Sequence, residues 1–388
     1  MQLMNLKRQI TYCISLCIPK RKGRWTFGAW MGGRFSDNPK AFLDYMVKSH
    51  PEYEYSWVIN DPDSIDKRGF ENVTFLRRGS FSAWKRVVTS EYLIMSHGSR
   101  DFGKYNWNGG AKKIYFDHGT PYKLYGLDSF RKRREGFVEK LRYIIKMWAV
   151  KLEHHADYYV ASSDVFKEII ERTLCTGKAT IIHAGLPRNE ILYDSQKRIE
   201  LRKRILSRLG FDDTVKIILY LPTFRDSGKR CFSFFDDAEK WDSILENAII
   251  IEKNHFADKF SGDIVRSNRI FKGNEFDTQD LIAISDMSIT DYSSCFFDFL
   301  ITDKPVLLFP YDYKDYSEIE RGVYFSIDEL DCGHVAYDDL SLFDMIRDFV
   351  INSWPLSEKQ IRVKRKYITY ESAENSKVIY EAISNKSN

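Results

Sequence analysis

Short apolar runs alternate with amphipathic helical stretches along the first half of the chain. The runs have the length and composition of buried strands, and helical patterns fall between several of them. Helices are predicted from Ala41 and from Phe81, and Ser163 and Asp164 supply the cap of a third. This alternation is typical of a parallel β-sheet covered by helices. The predicted strands are Tyr55–Ile59, Val73–Leu76, Tyr92–Met95, Ile114–Phe116, Tyr158–Ala161 and Thr180–Ile182.

A polar, charge-dense stretch from Tyr193 to Arg208 interrupts this rhythm, after which strand-like runs return. A chain of 388 residues is also long for a single core. We therefore predict two Rossmann-like, doubly wound α/β domains, residues 1–195 and 196–388, facing a central cleft; a single large sheet is the alternative. The tail from Ser357 to Ser387 has no Pro or Gly and predicts one or two helices. The predicted strands of the second domain are Lys216–Leu221, Ala248–Glu252, Met287–Thr290 and Val306–Phe309.

The N-terminus carries an apolar patch from Ile10 to Pro19 with Lys and Arg on both sides. This patch is shorter than the roughly 20 apolar residues that a membrane-spanning helix needs. No small-residue cleavage site follows it, so a signal peptide is not predicted either. We interpret the patch as a first core element, with a membrane-surface helix as the alternative, and we predict no transmembrane helix.

Positive charge is concentrated between Arg131 and Lys151, where eight Lys or Arg stand against two Glu. Such a stretch suits a polyanion or an anionic membrane surface. Its apolar residues recur at helical spacing, which predicts an amphipathic helix at a membrane interface. The alternative is a helix packed on its own domain with a solvated basic face. The apolar positions are Phe137, Leu141, Ile144, Ile145, Trp148 and Leu152.

The six cysteines form no CxxC pair and no Cys/His spacing typical of a metal site. This usage fits a reduced, cytoplasmic protein. No DxD motif or carboxylate cluster of metal-site type stands near the motifs described next, so neither a metal nor another cofactor is predicted.

Three short polar motifs each follow a predicted strand: residues 116–121 (FDHGTP), 221–225 (LPTFR) and 290–294 (TDYSS). Loops after the carboxyl ends of parallel strands form the ligand sites of open α/β sheets. The residue types of these motifs favour a phosphate-bearing ligand and a histidine that handles a proton. The motifs therefore predict where the chemistry takes place.

The serine pair Ser293–Ser294 stands between a predicted strand and an apolar helix. Helix N-termini present unpaired N–H groups and the positive end of the helix dipole, which suit a phosphate. Thr223 and Arg225 follow another strand, where a hydroxyl and a planar guanidinium also suit phosphate oxygens. The simpler interpretations are that Asp291 and Ser293 cap the helix and that the arginine forms a surface ion pair.

His118 lies in a loop where Gly119 permits a turn and the close approach of a ligand. Such a histidine titrates near neutrality and can act as a general base, and Asp117 can orient its imidazole if the side chain points that way. His255 follows a later strand and can stabilise charge on a phosphoryl group. A polar packing role is the alternative for both. His97, which also follows a strand, is a further candidate to line the cleft.

With these motifs the sequence resembles the CDP-glycerol glycerophosphotransferases of teichoic acid and capsule synthesis. The likeness covers most of the chain, from WTFG at 25–28 and DNPK at 37–40 to FDF at 297–299. The strings HGTPYK, GLPRNE, YLPTFR, KNH and TDYSSCFFDF occur in family order, and together they are highly specific. The sequence departs from the family at Asn254 and Phe256, which flank His255 where many members have an Arg/Lys-x-His-Pro pattern.

The resemblance implies a GT-B fold, an acceptor-binding and membrane-facing N-terminal domain, and a C-terminal domain that binds the CDP-alditol. It implies that His118 is the catalytic base and that His255 is a second essential histidine near the pyrophosphate. Asp298, one helical turn after Ser294, is expected near a ribose hydroxyl, and Arg188 is expected to close the cleft from the other domain. The other residues implied at CDP-glycerol are Gly119, Thr120, Pro121, Tyr122, Pro222, Thr223, Arg225, Lys253, Asn254, Ser293 and Ser294.

The reaction that follows from the resemblance is phosphoryl transfer at the cytoplasmic face of the cell membrane, by a monotopic, peripheral enzyme. A hydroxyl of a polyprenyl-diphosphate-linked glycan or polymer, deprotonated by His118, attacks the phosphorus that carries glycerol, and CMP leaves. CDP-ribitol is the alternative donor. A GT-B nucleotide-sugar glycosyltransferase and a non-catalytic scaffold for anionic polymer are the alternative functions. No nucleic acid partner is predicted.

Overall fold

The computed structural model describes residues 2–117, 119–129, 137–174, 176–223, 225, 230–254, 267–319 and 322–385. The strands are β1 (Arg21–Gly28), β2 (Glu54–Ile59), β3 (Val73–Arg77), β4 (Ser90–Met95), β5 (Lys112–Tyr115), β6 (Tyr158–Ala161), β7 (Thr180–His183), β8 (Lys216–Leu221), β9 (Ala248–Glu252), β10 (Ile270–Lys272), β11 (Met287–Thr290) and β12 (Val306–Leu308). The helices are α1 (Gln2–Leu16), α2 (Asp37–Ser49), α3 (Phe81–Thr89), α4 (Phe137–His154), α5 (Asp164–Leu174), α6 (Ser195–Leu209), α7 (Ala238–Asp242), α8 (Thr278–Ile284), α9 (Cys295–Leu300), α10 (Tyr313–Ile319), α11 (Ile327–Leu330), α12 (Asp339–Asn352), α13 (Glu358–Tyr367) and α14 (Asn375–Ser384).

The chain forms two compact units. The first consists of Met1–Gly119, Tyr125–Arg188 and Tyr370–Asn388, and the second of Thr120–Leu124 and Asn189–Thr369. The main segment of the second unit thus begins after Arg188, a few residues before the predicted 195/196 boundary. The predicted helical tail is present as α13 and α14, but α14 belongs to the first unit.

Each unit is built on a parallel sheet. The first has seven strands in the order β3-β2-β1-β4-β5-β6-β7, and the second has five in the order β10-β9-β8-β11-β12. In both, the strand order reverses around the first strand of the unit, which is the arrangement of a doubly wound fold. The prediction of two Rossmann-like α/β domains is confirmed.

The core of the first sheet is aromatic. Trp25 of β1 stacks on Tyr92 of β4 with ring centroids 3.9 Å apart, and Phe27 lies parallel to Trp57 of β2 at 6.3 Å. All four rings are buried. Large rings contribute much burial and fix their neighbours by shape, so the central strands form a firm base for the loops that follow them.

All ten predicted strands are found, with ends within two residues of the prediction, and the structure adds β1 and β10. The first half of β1 is basic, contains a glycine and is exposed or half-buried, and only its last four positions are buried. Such a run lacks the period-two or continuous apolar pattern that identifies a strand. β10 has only three residues.

The apolar patch at the N-terminus lies on α1, which is a surface helix. Ile10, Ile14 and Leu16 are each about half exposed, so the interpretation as a core element is wrong for these side chains. Among the residues that the structure describes, no helix combines the length and the apolarity needed to cross a membrane.

Candidate active site

Strained backbone marks the carboxyl edge of the first sheet. Trp30, Met31, Asp37 and Asp117 are non-glycine residues with φ angles of 50°, 52°, 69° and 57°. They follow β1 or β5, which flank β4 in the sheet, so their loops share one edge. A residue in this conformation costs about 1–3 kcal/mol and persists where surrounding contacts impose it, often at functional sites.

Asp37 and Arg188 form an ion pair at this edge. Arg188 Nη1 lies 2.7 Å from Asp37 Oδ1, and the two side chains are 12% and 4% exposed. Asp37 Oδ1 also accepts the backbone N–H of Asn38 at 2.9 Å, whereas its Oδ2 is buried and accepts no hydrogen bond. The structure thus gives Arg188 an anchor within the first unit, a role that the resemblance did not imply.

Contacts of the same residues reach the loop of the predicted base. Asn38 Nδ2 donates to the Asp117 carbonyl at 3.1 Å, and Asn38 Oδ1 accepts the N–H of Arg188 at 3.3 Å. Gly119 has a φ of 110°, and a Cβ at this position would lie 2.6 Å from Arg188 Nη2. Glycine meets both the backbone angle and the close approach. His118 lies outside the described residues, so its role as base stays a prediction.

Asp101, which the sequence analysis did not single out, ties two loops of this edge together. Its buried carboxylate accepts the N–H groups of Met31 at 2.7 Å, Ser96 at 2.9 Å and His97 at 2.8 Å. His97 Nδ1 lies 2.8 Å from the Ser96 hydroxyl, and its ring centroid is 4.4 Å from that of Trp30. His97 therefore belongs to the same edge as the strained residues. A single aspartate shortly after a strand gave no sequence signal for this role.

At the edge of the second sheet, Arg225 is buried and paired. Its Nε and Nη2 each donate to Asp312 at 2.9 Å, Nη2 lies 3.0 Å from Asp291 Oδ2, and Nη1 donates to the Thr223 carbonyl at 2.5 Å. Burial alone lowers the pKa of Arg225, but the two carboxylates outweigh burial and raise it above its usual range. Arg225 holds its own loop, and the predicted contact with a phosphate would require these pairs to break. The surface ion pair considered as the alternative is wrong in one respect, because this pair is buried.

Aromatic rings surround the guanidinium of Arg225. The ring centroids of Tyr292, Tyr311 and Tyr316 lie 5.2, 5.7 and 4.8 Å from its central carbon. Tyr292 stacks on Tyr316 at 3.9 Å and donates its hydroxyl to Asp312 at 3.1 Å. Burial, reinforced by the neighbouring carboxylates, raises the pKa of Tyr292 above its usual range. The rings and the paired charges form a closely packed support for the TDYSS loop.

Thr223 presents a hydroxyl that its own fold does not use. Its N–H donates to Asp291 Oδ1 at 2.9 Å, which fixes the backbone of the loop after Pro222. Its Oγ1 is buried and has no hydrogen-bond partner in the part of the chain that the structure describes. A buried hydroxyl without a partner costs about 1–3 kcal/mol. A phosphate oxygen that reached this atom would remove that cost.

The serine pair lies at the start of α9. The N–H of Cys295 donates to Ser293 Oγ at 3.3 Å, but the N-cap residue of α9 is Ser294, whose side chain makes no capping hydrogen bond to the described residues. The carboxylate of Asp291 accepts the N–H groups of Thr223 and Tyr292 instead, so the capping interpretation is wrong for Asp291. Both Ser293 and Ser294 are half-buried. Because α9 has only six residues, its dipole is small, and an anion here would depend on N–H groups and hydroxyls.

Asp298, implied near a ribose hydroxyl, lies buried among amides. Its two oxygens accept from Asn189 Nδ2 and Gln279 Nε2, both at 3.2 Å, and Gln279 Nε2 also donates to Asn189 Oδ1 at 2.6 Å. Gln279 Oε1 is buried without a partner. The sequence analysis singled out neither amide, although Asn189 stands in the GLPRNE string. The ribose contact of Asp298 stays a prediction.

Lys253 turns towards backbone carbonyls. Its ammonium donates to Gly273 O at 3.2 Å and to Phe276 O at 2.6 Å, contacts that compete with the predicted role at CDP-glycerol. Asn254 is half-buried. His255 lies outside the described residues.

Tyr122 is an anchor of the HGTPYK segment. Its ring is 1% exposed and packs against Tyr292 and Phe297, with centroids 6.0 and 6.5 Å away. Its hydroxyl is buried without a partner, and burial raises its pKa above the usual range. Beside it, Thr120 is buried and Pro121 is half-buried. The ring of Tyr122 thus packs within the second unit, and its contact with CDP-glycerol stays a prediction.

Known proteins resemble this chain over most of its length. Residues 10–385 match the family described as CDP-Glycerol:Poly(glycerophosphate) glycerophosphotransferase. The teichoic acid poly(glycerol phosphate) polymerase of Bacillus spizizenii is 30% identical over 340 residues, which cover 82% of each chain. The Bacillus subtilis polymerase of the same name is 30% identical over 323 residues, which cover 80% of this chain and 42% of that protein. The match thus spans less than half of the B. subtilis polymerase.

The structural comparison agrees with the family match. The solved wall teichoic acid polymerase TagF superposes with a TM-score of 0.82 at 22% identity, covering 99% of this chain and 94% of that one. The shared fold confirms the predicted GT-B class. Since the family model covers nearly the whole sequence, the chain belongs to the CDP-glycerol:poly(glycerophosphate) glycerophosphotransferase family.

Proposed function

We propose that the protein transfers glycerol phosphate from CDP-glycerol to a hydroxyl group of a lipid-linked glycan or polymer and releases CMP, in teichoic acid or capsule synthesis. The family match over residues 10–385 carries this proposal. Relatives named as poly(glycerol phosphate) polymerases and as a glycerol-phosphate transferase support the choice of donor.

In the proposed reaction the acceptor oxygen attacks the phosphorus of the glycerol phosphate group, and His118 takes the hydroxyl proton. The bond from that phosphorus to the oxygen of CMP breaks, and CMP leaves with the electron pair. Phosphoryl transfer depends mainly on positioning and on stabilisation of charge on the phosphate oxygens. Thr223, Ser293 and Ser294 supply hydroxyls for the oxygens of both donor phosphates, one of which leaves in CMP, and His255 supports the pyrophosphate. The buried, unpartnered hydroxyl of Thr223 favours this assignment.

CDP-ribitol is the second candidate donor. The poly(ribitol-phosphate) polymerase of B. spizizenii and the ribitol-phosphate polymerase TarK of Staphylococcus aureus are 24% and 26% identical, each over 50% of this chain. The glycerol-phosphate transferase of S. aureus is 24% identical over 92% of the chain. The wider coverage favours glycerol phosphate.

Release of CMP tests the reaction. Purified protein is incubated with CDP-glycerol or CDP-ribitol, each with and without a lipid-linked glycan acceptor. We expect acceptor-dependent CMP from CDP-glycerol and its loss in His118→Ala, with CMP binding retained. Release of free sugar from a UDP-sugar would instead support a glycosyltransferase. Polymer binding without CMP release from either donor would support a scaffold.

We also propose that α1 and α4 attach the first unit to an anionic membrane surface. On α1, Leu6, Ile10 and Ile14 are 51%, 48% and 50% exposed at a spacing of four residues, which places them on one face. α1 and α4 are joined by the ion pair of Arg8 with Glu153 at 3.3 Å. An exposed apolar face on two adjoining helices is unusual for a protein surrounded only by water.

Exposed apolar residues are also present on α4. Leu141, Ile144 and Trp148 are 49%, 55% and 37% exposed, and basic residues stand between them. An interfacial helix buries such apolar residues at the headgroup boundary while Lys and Arg contact anionic lipid. The basic run at 131–136 lies outside the described residues. The predicted amphipathic helix is present as α4, and its membrane contact is part of this proposal.

Vesicle binding tests the membrane face. We expect Ile10→Glu with Ile144→Glu to abolish sedimentation with phosphatidylglycerol vesicles. Leu340→Glu serves as the control, because Leu340 is 71% exposed on α12 of the second unit. Unchanged sedimentation of the double variant would refute the proposal, as would an equal loss in the control.

A further inference from the structure

The ion pair of Asp37 with Arg188 joins residues from separate parts of the sheet edge. Asp37 opens α2 after β1, and Arg188 follows β7. The two residues are 151 positions apart in sequence, yet Arg188 Nη1 and Asp37 Oδ1 are 2.7 Å apart and both side chains are largely buried. A pair that links such distant segments fixes the edge they share.

This pair restrains the backbone on both sides of residue 118. On the N-terminal side, Asn38, next to Asp37, donates to the carbonyl of Asp117 at 3.1 Å. On the C-terminal side, the guanidinium of Arg188 lies so close to Gly119 that a Cβ would stand 2.6 Å from its Nη2. The two residues that are bonded to residue 118 are therefore both held by this part of the edge.

The geometry is costly for a pair that serves stability alone. Asp37 and Asp117 both have positive φ, and Asp37 Oδ2 is buried without a hydrogen bond. Strain and unsatisfied polar atoms of this kind concentrate where a functional arrangement overrides local preference. We propose that Asp37 and Arg188 are positioning residues, which set the 117–119 loop and thereby orient His118, and that Arg188 does not bind the donor. This inference rests on the proposed function for the role of His118.

Kinetics separate positioning from donor binding. Loss of the ion pair between Asp37 and Arg188 should misplace His118 but leave the donor-binding groups in place. We therefore expect Asp37→Asn and Arg188→Lys to lower kcat about 100-fold. The KM for CDP-glycerol should not change, because the contacts that hold the donor equally in the ground state and the transition state are unaffected. Arg188→Lys is informative because lysine keeps the charge and loses the planar fork of donors.

Asp128 provides a matched control. Like Asp37, it is 4% exposed, lies in the first unit and pairs with an arginine, here Arg172 Nε at 2.8 Å. If loss of activity in Asp37→Asn reflected only a weakened fold, Asp128→Asn would lose activity equally. We expect Asp128→Asn to retain kcat. Thermal unfolding of all variants identifies any that do not fold.

An NMR titration of the histidine side chains tests, without turnover, whether Asp37 and Arg188 position His118. The chain has eight histidines, and His118→Gln identifies the resonance of His118. We expect Asp37→Asn and Arg188→Lys to shift this resonance and its titration midpoint, and Asp128→Asn to leave both unchanged. Absence of CMP release from the wild type would refute the proposed function. This titration would still decide whether Asp37 and Arg188 position His118. An unmoved His118 resonance, or a raised KM for CDP-glycerol at unchanged kcat in Arg188→Lys, would overturn the inference.

Discussion

The carboxyl edges of the two sheets carry similar polar loops but use their charged residues differently. At the first edge, Asp37 and Arg188 form an ion pair among strained backbone, and one oxygen of the Asp37 carboxylate has no partner among the described residues. At the second, Arg225 is paired with two carboxylates and enclosed by tyrosine rings. The contacts at the first edge thus hold the backbone in a strained conformation, whereas those at the second edge enclose the arginine in paired charges and packed rings. Position after a strand therefore does not tell how completely the fold pairs and encloses an arginine.

At the second edge, the groups that hold the fold differ from the group that can still bind a ligand. Arg225 uses all three guanidinium nitrogens within the protein, but the hydroxyl of Thr223, two residues earlier, has no partner. Ligand binding is favoured at the group whose hydrogen-bonding capacity remains. We therefore assign phosphate contact at this edge to Thr223 rather than Arg225.

Arg225→Met should have the largest effect, and the effect should be on stability. Removing the cation leaves Asp291 and Asp312 as buried carboxylates without their partner, which costs about 3–5 kcal/mol for a buried pair. Urea unfolding of the wild type and the variant measures this loss of unfolding free energy.

Arg230→Met is the control for Arg225→Met. Arg230 pairs with Asp236, and these side chains are 54% and 46% exposed. An exposed pair contributes about 0–1 kcal/mol, so the control should unfold nearly as the wild type does. If Arg225→Met keeps its stability and loses CMP binding instead, Arg225 is a phosphate ligand and not a support for its loop.

Gly119→Ala tests the first edge and should act mainly on turnover. The methyl group would meet Arg188 Nη2 and would force an alanine into a φ of 110°. Displacement of the loop by an ångström can cost about 100-fold in rate, so we expect kcat for CMP release to fall by that order.

Gly79→Ala separates the effect of backbone strain from that of the contact with Arg188. Gly79 has a φ of 85°, and no atom lies within 4 Å of the point that an alanine methyl group would occupy, so alanine there adds strain without a clash. We expect its kcat to stay near the wild-type value. Equal losses in both variants would show that general strain, and not the contact with Arg188, limits turnover.

The sequence predicts the fold well because strand composition is a local property. Ten strands were identified from short apolar runs, and β1 was missed because its exposed first half is basic. The partners of a charged residue are not local. Asp37 and Arg188 are 151 positions apart, and Arg225 and Asp312 are 87 apart. The sequence thus located both edges, while the buried state of Arg225 and the anchoring of Arg188 required the structure.

Thr223→Val should give the smallest effect. It should leave stability unchanged or slightly higher, and it should weaken the binding of CMP. Valine has nearly the same shape and removes a buried hydroxyl that has no partner, so the unfolding free energy should stay constant or rise slightly. A hydrogen bond to a charged phosphate is worth about 1.5–3 kcal/mol, so CMP should bind roughly tenfold or more weakly. Calorimetric titration with CMP and thermal unfolding measure binding and stability separately.

Thr302→Val should give the reverse result, because the Thr302 hydroxyl donates to the Phe299 carbonyl at 2.7 Å and is buried. Its loss should destabilise the second unit and leave CMP binding unchanged. If Thr223→Val behaves like Thr302→Val, its hydroxyl serves the fold, and every described side chain of the LPTFR loop would then be structural. In that case the phosphate contacts at this edge would fall to Ser293 and Ser294, whose half-buried hydroxyls lie at the start of α9.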